Sequence, residues 1–464
     1  HVFVLPALRA GLALLLALAL FVPLQTALAE DATPELPIYR IRPGDTLISI
    51  AVHNNIAAAD LLAVNPQLNP NLLRAGEAIL LPEAAQGAGA LTVRSVQMGE
   101  TLQSLSRRYR LTAGELARFN YLTSPLELYL GRNLVLPAVQ SRTPSDKILV
   151  HQGQSLLEAA VLQGENPWTL AGDNGLANLA AAIPGDLLFV YNGAAAAEVN
   201  ARSPEFYDMD VHDLPLVQGK TAEVRLLTRQ PATLDGSLAG YPLRFFPMGE
   251  NFYVALQGIY VLAEPGLVSL QIQGNLADGT PFGFEQSLPL RAGGYAHETL
   301  QVPPETIDPA VTQPEYEHVL SVVSQVSPQK YWDGPFVSPA YDPNWITSWF
   351  GTRRYYNQDP QVYFHSGVDY GGGVGLPIKA PAPGVVVLTE ELTVRGGTTI
   401  IDHGWGVFSV YMHQSEIQVK VGDFVTTGQQ IGLVGGTGRV TGAHLHWEIW
   451  VNGVQVEPLD WLDY

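Results

Sequence analysis

One spacing pattern occurs three times between residues 44 and 185, and it constrains the fold more than any other feature of this chain. In each copy an asparagine follows a glycine by 21 residues, and a second glycine follows the asparagine by 11. The three sets are Gly44, Asn65 and Gly76; Gly99, Asn120 and Gly131; and Gly153, Asn174 and Gly185. A spacing kept three times without a gap predicts three structural copies of one small module.

Each copy is expected to fold as a strand, two helices and a strand. Residues 39–42 alternate in polarity as a strand does, and apolar residues at helical spacing follow the first glycine. In the first two copies that glycine precedes an acidic residue and a threonine, a pair that can begin a helix. The three motifs are Gly44-Asp45-Thr46-Leu47, Gly99-Glu100-Thr101-Leu102 and Gly153-Gln154-Ser155-Leu156.

This repeat resembles the lysin motif (LysM), a βααβ module that binds glycans containing N-acetylglucosamine. The resemblance covers residues 37–82 and 91–137, with a degenerate third module at 147–191 that lacks the acidic residue and threonine. It implies that loop backbone near the first helix and before the second strand contacts sugar. The glycan-binding candidates are Gly44, Asp45, Thr46, Gly99, Glu100 and Thr101. The alternative is that the modules only hold the rest of the chain away from a surface.

Residues 1–29 are typical of a secretory signal peptide. Arg9 precedes an apolar run over residues 10–24, and Ala27-Leu28-Ala29 forms a small-x-small cleavage site. The run is short for a bilayer span, which takes about 20 residues. The alternative is a retained membrane anchor. In either case we expect the remainder to be secreted into the cell envelope or cell wall.

Composition excludes several kinds of partner and site. A formal net charge of −19 would repel nucleic acid and anionic lipid. We therefore expect no nucleic-acid partner and no membrane contact beyond the signal segment, and we expect a monomer. The chain has no cysteine, so disulfides and thiolate metal sites are excluded. A zinc site would need histidine and carboxylate ligands.

The middle of the chain predicts a β domain followed by a connector. Residues 216–302 combine alternating apolar residues with Pro-Gly and Asp-Gly turns, a pattern that favours a small β-sandwich and weakly resembles an immunoglobulin-like domain. Residues 303–344 are rich in proline and predict a semi-rigid connector with one helix near 316–324. His297-Glu298 begins like the HExxH zinc motif, but position 301 is Gln, so we interpret His297 as a surface residue.

Histidine is concentrated near the C-terminus, which is where chemistry is expected. Five of the 11 histidines lie between residues 365 and 446. His365 and Asp369 are four residues apart, and His413 ends an alternating strand. His444 and His446 are two apart, which puts both rings on one face of a strand. The fifth, His403, stands at a strand-to-turn position and is expected to be structural.

These residue types suit a catalytic zinc ion, which takes histidine nitrogen and carboxylate oxygen and leaves one position for water. His365, Asp369 and one of the paired histidines would give three ligands. The metal would lower the pKa of the water to about 7 and polarise a carbonyl. His413 and the second paired histidine could take the proton and stabilise an oxyanion. Spacing alone does not distinguish His444 from His446.

The same motifs resemble the LytM/lysostaphin-type peptidoglycan metallopeptidases, over about residues 345–462. The likeness includes the flanking segments 346–354, 377–381 and 384–386 and the glycine-rich segment 435–442. It implies an antiparallel β metallopeptidase domain, similar to a duplicated hybrid motif, over 345–464. It further implies that His365, Asp369 and His446 bind Zn²⁺, that His444 is the general base and that His413 stabilises the oxyanion.

The expected protein is multidomain and mainly β, and it acts as a zinc metalloendopeptidase on the stem or cross-bridge peptides of peptidoglycan. Glycan-binding modules would raise its concentration at the wall. Two alternatives stay open. One is a catalytically silent, wall-binding activator of an amidase, and the other is an extracellular protease for Gly-rich protein.

Overall fold

A computed structural model describes residues 38–42, 45–54, 56, 58–70, 73–82, 91–109, 111–137, 144–191, 206–302, 307–357 and 359–462. The predicted signal segment 1–29 and the glycan-binding candidate Gly44 lie outside the described residues. Over the described residues the protein is mainly β, with three βααβ modules, a β-sandwich and a C-terminal antiparallel domain. None of the helices in these ranges has the length and apolar character needed to cross a bilayer.

Each of the three repeats folds as two antiparallel strands around two helices. The first contains β1 Ile38–Arg40, α1 Leu47–His53, α2 Ala58–Val64 and β2 Ala78–Leu80. The second contains β3 Leu91–Ser95, α3 Leu102–Tyr109, α4 Ala113–Phe119 and β4 Asn133–Pro137. The third contains β5 Asp146–Leu149, α5 Leu156–Leu162, α6 Pro167–Asp173 and β6 Leu187–Val190.

The repeated asparagine joins the second helix of each module to its second strand. Asn120 donates to the carbonyls of Leu116 and Val135, both at 3.0 Å, and accepts from Val135 N at 2.6 Å. Asn65 and Asn174 make the same three bonds in their own modules. The second glycine of the repeat has a φ of 89°, 83° and 91° in the three copies, a conformation that favours glycine. The third copy therefore keeps the fold of the first two.

The middle domain is a sandwich of two sheets. Its strands are β7 Phe206–Val211, β8 Leu216–Val217, β9 Thr221–Thr228, β10 Ala232–Leu238, β11 Tyr241–Leu243, β12 Phe246–Pro247, β13 Phe252–Gly258, β14 Gly266–Leu276 and β15 Pro281–Arg291. One sheet has the order β11-β10-β14-β15-β8 and the other β12-β13-β9-β7. The sandwich begins before the expected boundary at 216, because Met209 and Val211 of β7 are buried in its core. Residues 297–300 were expected in this domain but form β16 His297–Leu300, which joins a different sheet.

The connector contains α7 Pro309–Val323, which begins seven residues before the expected helix. Asp308 caps it by accepting from Ala310 N at 2.9 Å. Pro309 occupies the first helical turn, where its missing N–H costs nothing. The proline content of this segment is therefore compatible with a helix of 15 residues.

The C-terminal domain is built on one large sheet. Its strands are β17 Ile346–Ser348, β18 Arg353–Tyr356, β19 Tyr363–Phe364, β20 Val368–Gly371, β21 Pro377–Lys379, β22 Gly384–Leu392, β23 Gly396–Gly404, β24 Val407–Ile417, β25 Phe424–Val425, β26 Gln430–Val434, β27 His444–Val451 and β28 Val454–Val456. The main path of the sheet is β17-β20-β27-β24-β23-β22-β25. Strand β18 pairs with β16 on one side and with β19 on the other in a separate small sheet.

The sandwich and the C-terminal domain share one hydrophobic core. Phe246, Val254 and Leu256 of the sandwich lie in the same buried cluster as Trp405 and Val456 of the C-terminal domain. The rings of Phe246 and Trp405 stack with centroids 4.9 Å apart and planes 8° from parallel. Burial of aromatic rings between the two domains stabilises their mutual arrangement.

Candidate metal centre

Strand β27 assembles the site because it lies between β20 and β24 in the sheet. In its antiparallel pairing with β20, His446 stands opposite Asp369 and His444 opposite Gly371. In its pairing with β24, His446 stands opposite Met412, the residue before His413. Motifs that are 77 residues apart in the chain, such as Asp369 and His446, thus become neighbours.

His365 enters the site from the segment between β19 and β20. Its backbone N donates to Thr352 O at 2.9 Å, and its carbonyl accepts from Gly351 N at 2.8 Å. Its Nδ1 lies 3.0 Å from Trp349 O, which can only accept, so the proton of the neutral ring is on Nδ1. Nε2 therefore presents a lone pair to the centre of the site.

Three donor atoms converge at this centre. His365 Nε2 lies 3.0 Å from Asp369 Oδ1 and 3.1 Å from His446 Nδ1, and the last two atoms are 2.7 Å apart. Within the described residues, these three side chains form the group of His, Asp or Glu whose ligand atoms lie close enough together to hold one metal ion. Tetrahedral zinc with ligand distances of roughly 2.0–2.1 Å separates its donors by about 3.3 Å. The three side chains therefore fit zinc after small movements.

Glu448 supports His446 from behind. Its Oε1 lies 3.2 Å from His446 Nε2, and its carboxylate also accepts from Trp450 Nε1 at 2.6 Å and Gln455 Nε2 at 3.3 Å. A carboxylate behind a metal-binding imidazole fixes the tautomer and orientation of the ring. Sequence reasoning gave Glu448 no role, although its position two residues after His446 on one strand was a signal for it.

The charges of the site favour a cation at its centre. Burial raises the pKa of Asp369, but its interactions with the imidazoles of His365 and His446 outweigh it and hold that pKa below its usual range. Burial lowers the pKa of His446, but Asp369 and Glu448 outweigh it and raise the pKa to about 9. For His365, burial prevails over the bond to Asp369 and lowers the pKa.

His413 and His444 face each other beside the three donor atoms, with ring centroids 4.9 Å apart. Nδ1 of His413 donates to Thr437 O at 2.9 Å, and Nδ1 of His444 donates to Gly442 O at 2.9 Å. Both carbonyls belong to the glycine-rich segment before β27. In the neutral rings each Nε2 is therefore unprotonated and can accept a proton.

The two rings differ in their surroundings. His413 is 7% exposed, and burial together with the charges of His446 and His444 lowers its pKa to about 3. The side chain of His444 is 20% exposed, and its Nε2 lies 3.6 Å from Asp369 Oδ1. His444 is therefore the more solvent-accessible ring of the pair.

A chain of polar contacts reaches His365 from outside the histidine motifs. Arg354 donates from Nε to Glu298 Oε1 at 2.6 Å and from Nη2 to Ser348 Oγ at 3.0 Å. Ser348 Oγ in turn lies 3.2 Å from His365 Nδ1. Sequence reasoning set Glu298 aside with the incomplete HExxH motif, so this contact was missed. The neighbouring His297 is exposed and lies beside Tyr355, with ring centroids 6.3 Å apart.

His403 is buried in the core of the sheet and uses both ring nitrogens there. Nδ1 donates to Pro383 O at 2.8 Å, and Nε2 accepts from Ser409 Oγ at 2.7 Å. Burial lowers its pKa to about 4. These contacts agree with the structural role expected for it.

The side chains of the described glycan-binding candidates Asp45, Thr46, Glu100 and Thr101 make contacts inside their own modules. Asp45 accepts from Tyr39 OH at 2.8 Å and from Arg42 N at 2.7 Å, and Thr46 caps α1. The corresponding Glu100 is buried, pairs with Arg94 and accepts from Gln97 N at 2.9 Å. The next residue, Thr101, accepts from Ser104 N at 3.1 Å. These side-chain contacts fix the shape of the loops.

Two protein-family models match the chain. The model for peptidase family M23 matches residues 363–458, and the model for the LysM domain matches residues 39–82 and 95–137. The third repeat lies outside these matches, although it has the same strands and helices.

Curated relatives match about a quarter of the chain. Peptidoglycan DD-endopeptidase ShyA of Vibrio cholerae serotype O1 is 41% identical over 119 residues, which are 25% of this chain and 28% of that protein. Peptidoglycan DD-endopeptidase ShyC of the same organism is 39% identical over 123 residues, or 26% of this chain and 28% of that protein. The chain thus spans little more than a quarter of the length of these relatives.

Among solved structures, the chain is similar to a putative peptidase M23 from Pseudomonas aeruginosa. The sequence identity is 26%, and the likeness covers 54% of this chain and 96% of that one. The TM-score is 0.41, which is too low to support an argument about the fold.

Proposed function

Because the chain carries a peptidase family M23 domain and two LysM domains, we propose that it is an exported zinc metalloendopeptidase that cuts peptide bonds in the stem or cross-bridge of peptidoglycan. The observation that carries the proposal is the convergence of five side chains, His365, Asp369, His413, His444 and His446, within the M23 segment. Relatives of this segment are named peptidoglycan DD-endopeptidases.

His365, Asp369 and His446 are proposed to hold the zinc ion. Their facing atoms lie within 4.8 Å of one another, and the opposite ring nitrogens are occupied by Trp349 O and Glu448. When bound, zinc would supply Lewis-acid polarisation of the scissile carbonyl and activation of water.

His444 is proposed as the general base. Its Nε2 is the unprotonated nitrogen of the neutral ring, it is the more exposed of the two histidines, and Asp369 stabilises the imidazolium that forms. His413 is proposed to stabilise the oxyanion. Because its Nδ1 proton is directed to Thr437 O, this role requires a second proton on Nε2, which the ring must take up during the reaction against the burial that lowers its pKa.

The LysM domains are proposed to bind glycan strands and keep the catalytic domain close to wall peptide, outside the cytoplasm. Tethering of this kind raises the local concentration of enzyme at its substrate without any new catalytic contact. The proposed substrate is therefore a polymer that presents both ligands together, and peptidoglycan meets this requirement.

The test is mass spectrometry of fragments released from purified peptidoglycan by the zinc-loaded full chain. Walls with direct cross-links and walls with glycine bridges are compared, and a His365→Ala variant is the matched control. New amino and carboxyl termini in the peptides, absent with the variant, support the proposal and identify the bond.

Three outcomes would contradict it. Fragments cut between sugar and peptide would point to an amidase instead. Intact walls with stimulation of an added amidase would favour the activator. Faster cleavage of a soluble Gly-rich peptide than of walls would favour an extracellular protease.

A further inference from the structure

Helix α7 packs against the sheet that carries the candidate site, although it precedes the matched M23 segment. Its buried residues Glu315, Val319 and Val323 recur at intervals of four and so share one face. Val319 and Val323 lie in a cluster with Met412 of β24 and Trp450 of β27. The helix therefore contacts the two strands that present His413 and the paired histidines.

Glu315 is a buried carboxylate, only 8% exposed, on this helix. It accepts hydrogen bonds from Val394 N at 2.7 Å, from Arg395 N at 3.1 Å and from Arg395 Nη1 at 2.8 Å. All three donors belong to the turn between β22 and β23. Charge-assisted bonds to two successive backbone N–H groups fix the backbone of this turn relative to the helix.

The turn holds His413 through two routes. His413 N donates to Arg395 O at 2.9 Å, which fixes the backbone. Gly397 N donates to Thr437 Oγ1 at 2.9 Å, and Thr437 O accepts from His413 Nδ1 at 2.9 Å, which fixes the ring. The first route begins at Arg395, which Glu315 binds, and the second begins two residues later, at Gly397 in the first turn-proximal residues of β23.

The turn and the Thr437 loop are in direct backbone contact. A Cβ atom on Gly438 would lie 2.4 Å from Gly396 N and 2.6 Å from Val394 O, so a displaced turn must displace the loop as well. His413 itself has a φ of 63°, a left-handed conformation that is strained for a residue other than glycine. Such a conformation persists only where the surroundings hold it.

We infer that Glu315 is a positioning residue for the reaction: from the connector helix it fixes the β22–β23 turn and, through that turn and Thr437, the orientation of His413. The role of Glu315 in catalysis rests on the proposed function, whereas the contacts that connect Glu315 to His413 do not depend on it. A determinant of the reaction then lies outside the peptidase segment.

The test compares Glu315→Ala, Glu315→Gln and His318→Ala in the full chain. His318 is the matched control because it lies on the same helix and contacts Glu390 Oε2 of β22 at 3.0 Å, on a path that does not pass through the 394–397 turn. Three quantities are measured: kcat and KM on peptidoglycan, zinc affinity, and hydrogen–deuterium exchange of residues 394–397, 411–414 and 436–439.

For Glu315→Ala we expect kcat to fall about 10-fold to 100-fold, since small misplacements of catalytic groups have effects of this size. KM and zinc affinity stay within about twofold, and exchange rises only in the three segments. Glu315→Gln, which keeps an acceptor for the turn, recovers part of the rate, and His318→Ala matches the wild type.

The inference is overturned if exchange at 411–414 in Glu315→Ala equals that of the wild type. It is also overturned if exchange in Glu315→Ala rises in β27 as much as in the three segments, or if kcat falls in His318→Ala as much as in Glu315→Ala. Either result indicates a general loss of stability rather than a specific link to His413. Exchange needs no substrate. If the wild-type protein leaves peptidoglycan intact, the proposed function fails, while the link from Glu315 to His413 is still decided.

Discussion

At the scale of single residues, the proton on Nδ1 of His413 constrains what this residue can do. The bond to Thr437 O leaves Nε2 of the neutral ring as an acceptor. A glutamine at this position can donate to an oxyanion but cannot act as a base. Removal of a donor to the oxyanion lowers kcat by about 10²–10³. If His413 stabilises the oxyanion, His413→Ala shows this loss, and the kcat of His413→Gln is about tenfold higher than that of His413→Ala.

The comparison needs a second pair of variants. His444→Gln and His444→Ala are expected to be equally inactive, because neither replaces a base. All four variants keep zinc, since neither histidine is among the three converging donors. Equal activity of His413→Gln and His413→Ala would argue that His413 also acts by proton transfer.

Glu448 is expected to control zinc affinity. It is fully buried and faces Nε2 of His446 at 3.2 Å. Because the outer partners of a metal-binding histidine are worth about 10-fold to 100-fold in affinity, Glu448→Gln should weaken zinc binding by that amount in a chelator competition. Glu416→Gln, an exposed change on β24, is the control. Unchanged affinity in Glu448→Gln would refute a supporting role.

His403 is expected to make stability depend on pH. Its folded-state pKa of about 4 lies below the value of 6.5 in the unfolded chain, so the unfolded state binds more protons between these values. Stability is therefore complete above pH 6.5 and is lost as pH falls towards 4, by up to about 3 kcal/mol. Two titratable groups adjoin His403: Asp402 precedes it in the chain, with a pKa that burial raises, and the neutral phenol of Tyr411 reaches its ring through Ser409 Oγ.

The test is denaturant unfolding of the wild type and of His403→Gln at pH 7.5 and 4.5, monitored by tryptophan fluorescence. The variant should lose less stability than the wild type on acidification. An equal loss in both proteins would show that other groups account for the acid sensitivity.

At the scale of elements, sequence periodicity and spacing located the strands that carry the site. The two-residue spacing of His444 and His446 predicted a shared strand face, and β27 has it. The distance in space between the side chains of Asp369 and His446 could not be predicted from the sequence, because it depends on the register between β20 and β27. Glu315 could not be found either, since its partners lie in a turn about 80 residues later in the chain.

The repeated asparagine illustrates a sequence signal whose cause is visible only in the structure. Asn174 bonds to both the N–H and the carbonyl of Phe189 in the third module. Asn174→Ala leaves these buried groups unpaired, at a cost on the order of 1–3 kcal/mol for each. We expect hydrogen exchange across residues 146–190 to increase at least tenfold. Gln163→Ala, an exposed change in the same module, should have little effect, and equal effects would contradict the proposed linkage.

At the scale of the whole molecule, the second module lies against the sandwich through the loops that the LysM resemblance assigns to sugar. Gly99 N donates to Gln286 Oε1 at 3.1 Å, and Leu130 N donates to Ser287 O at 3.1 Å. Met98 is buried in the hydrophobic core of the sandwich. The first module is therefore expected to provide most of the glycan affinity.

Met98→Asp tests this arrangement, because a carboxylate in an apolar core is strongly disfavoured. Undocking should add one binding site for an N-acetylglucosamine oligomer in isothermal titration. Met248→Asp, a change at a residue of the sandwich that is 51% exposed, is the control. An unchanged stoichiometry in Met98→Asp would mean that the docked loops do not limit sugar binding.

The core shared by the sandwich and the C-terminal domain bears on how this catalytic unit can be inherited. The faces of Trp405 and Val456 are covered by Phe246, Val254 and Leu256 from another domain. Recombination that transferred only residues 345–462 to a new gene would leave this apolar surface uncovered, and exposed patches of this kind promote aggregation. The unit expected to be exchanged between genes is thus the sandwich, the connector helix and the C-terminal domain together.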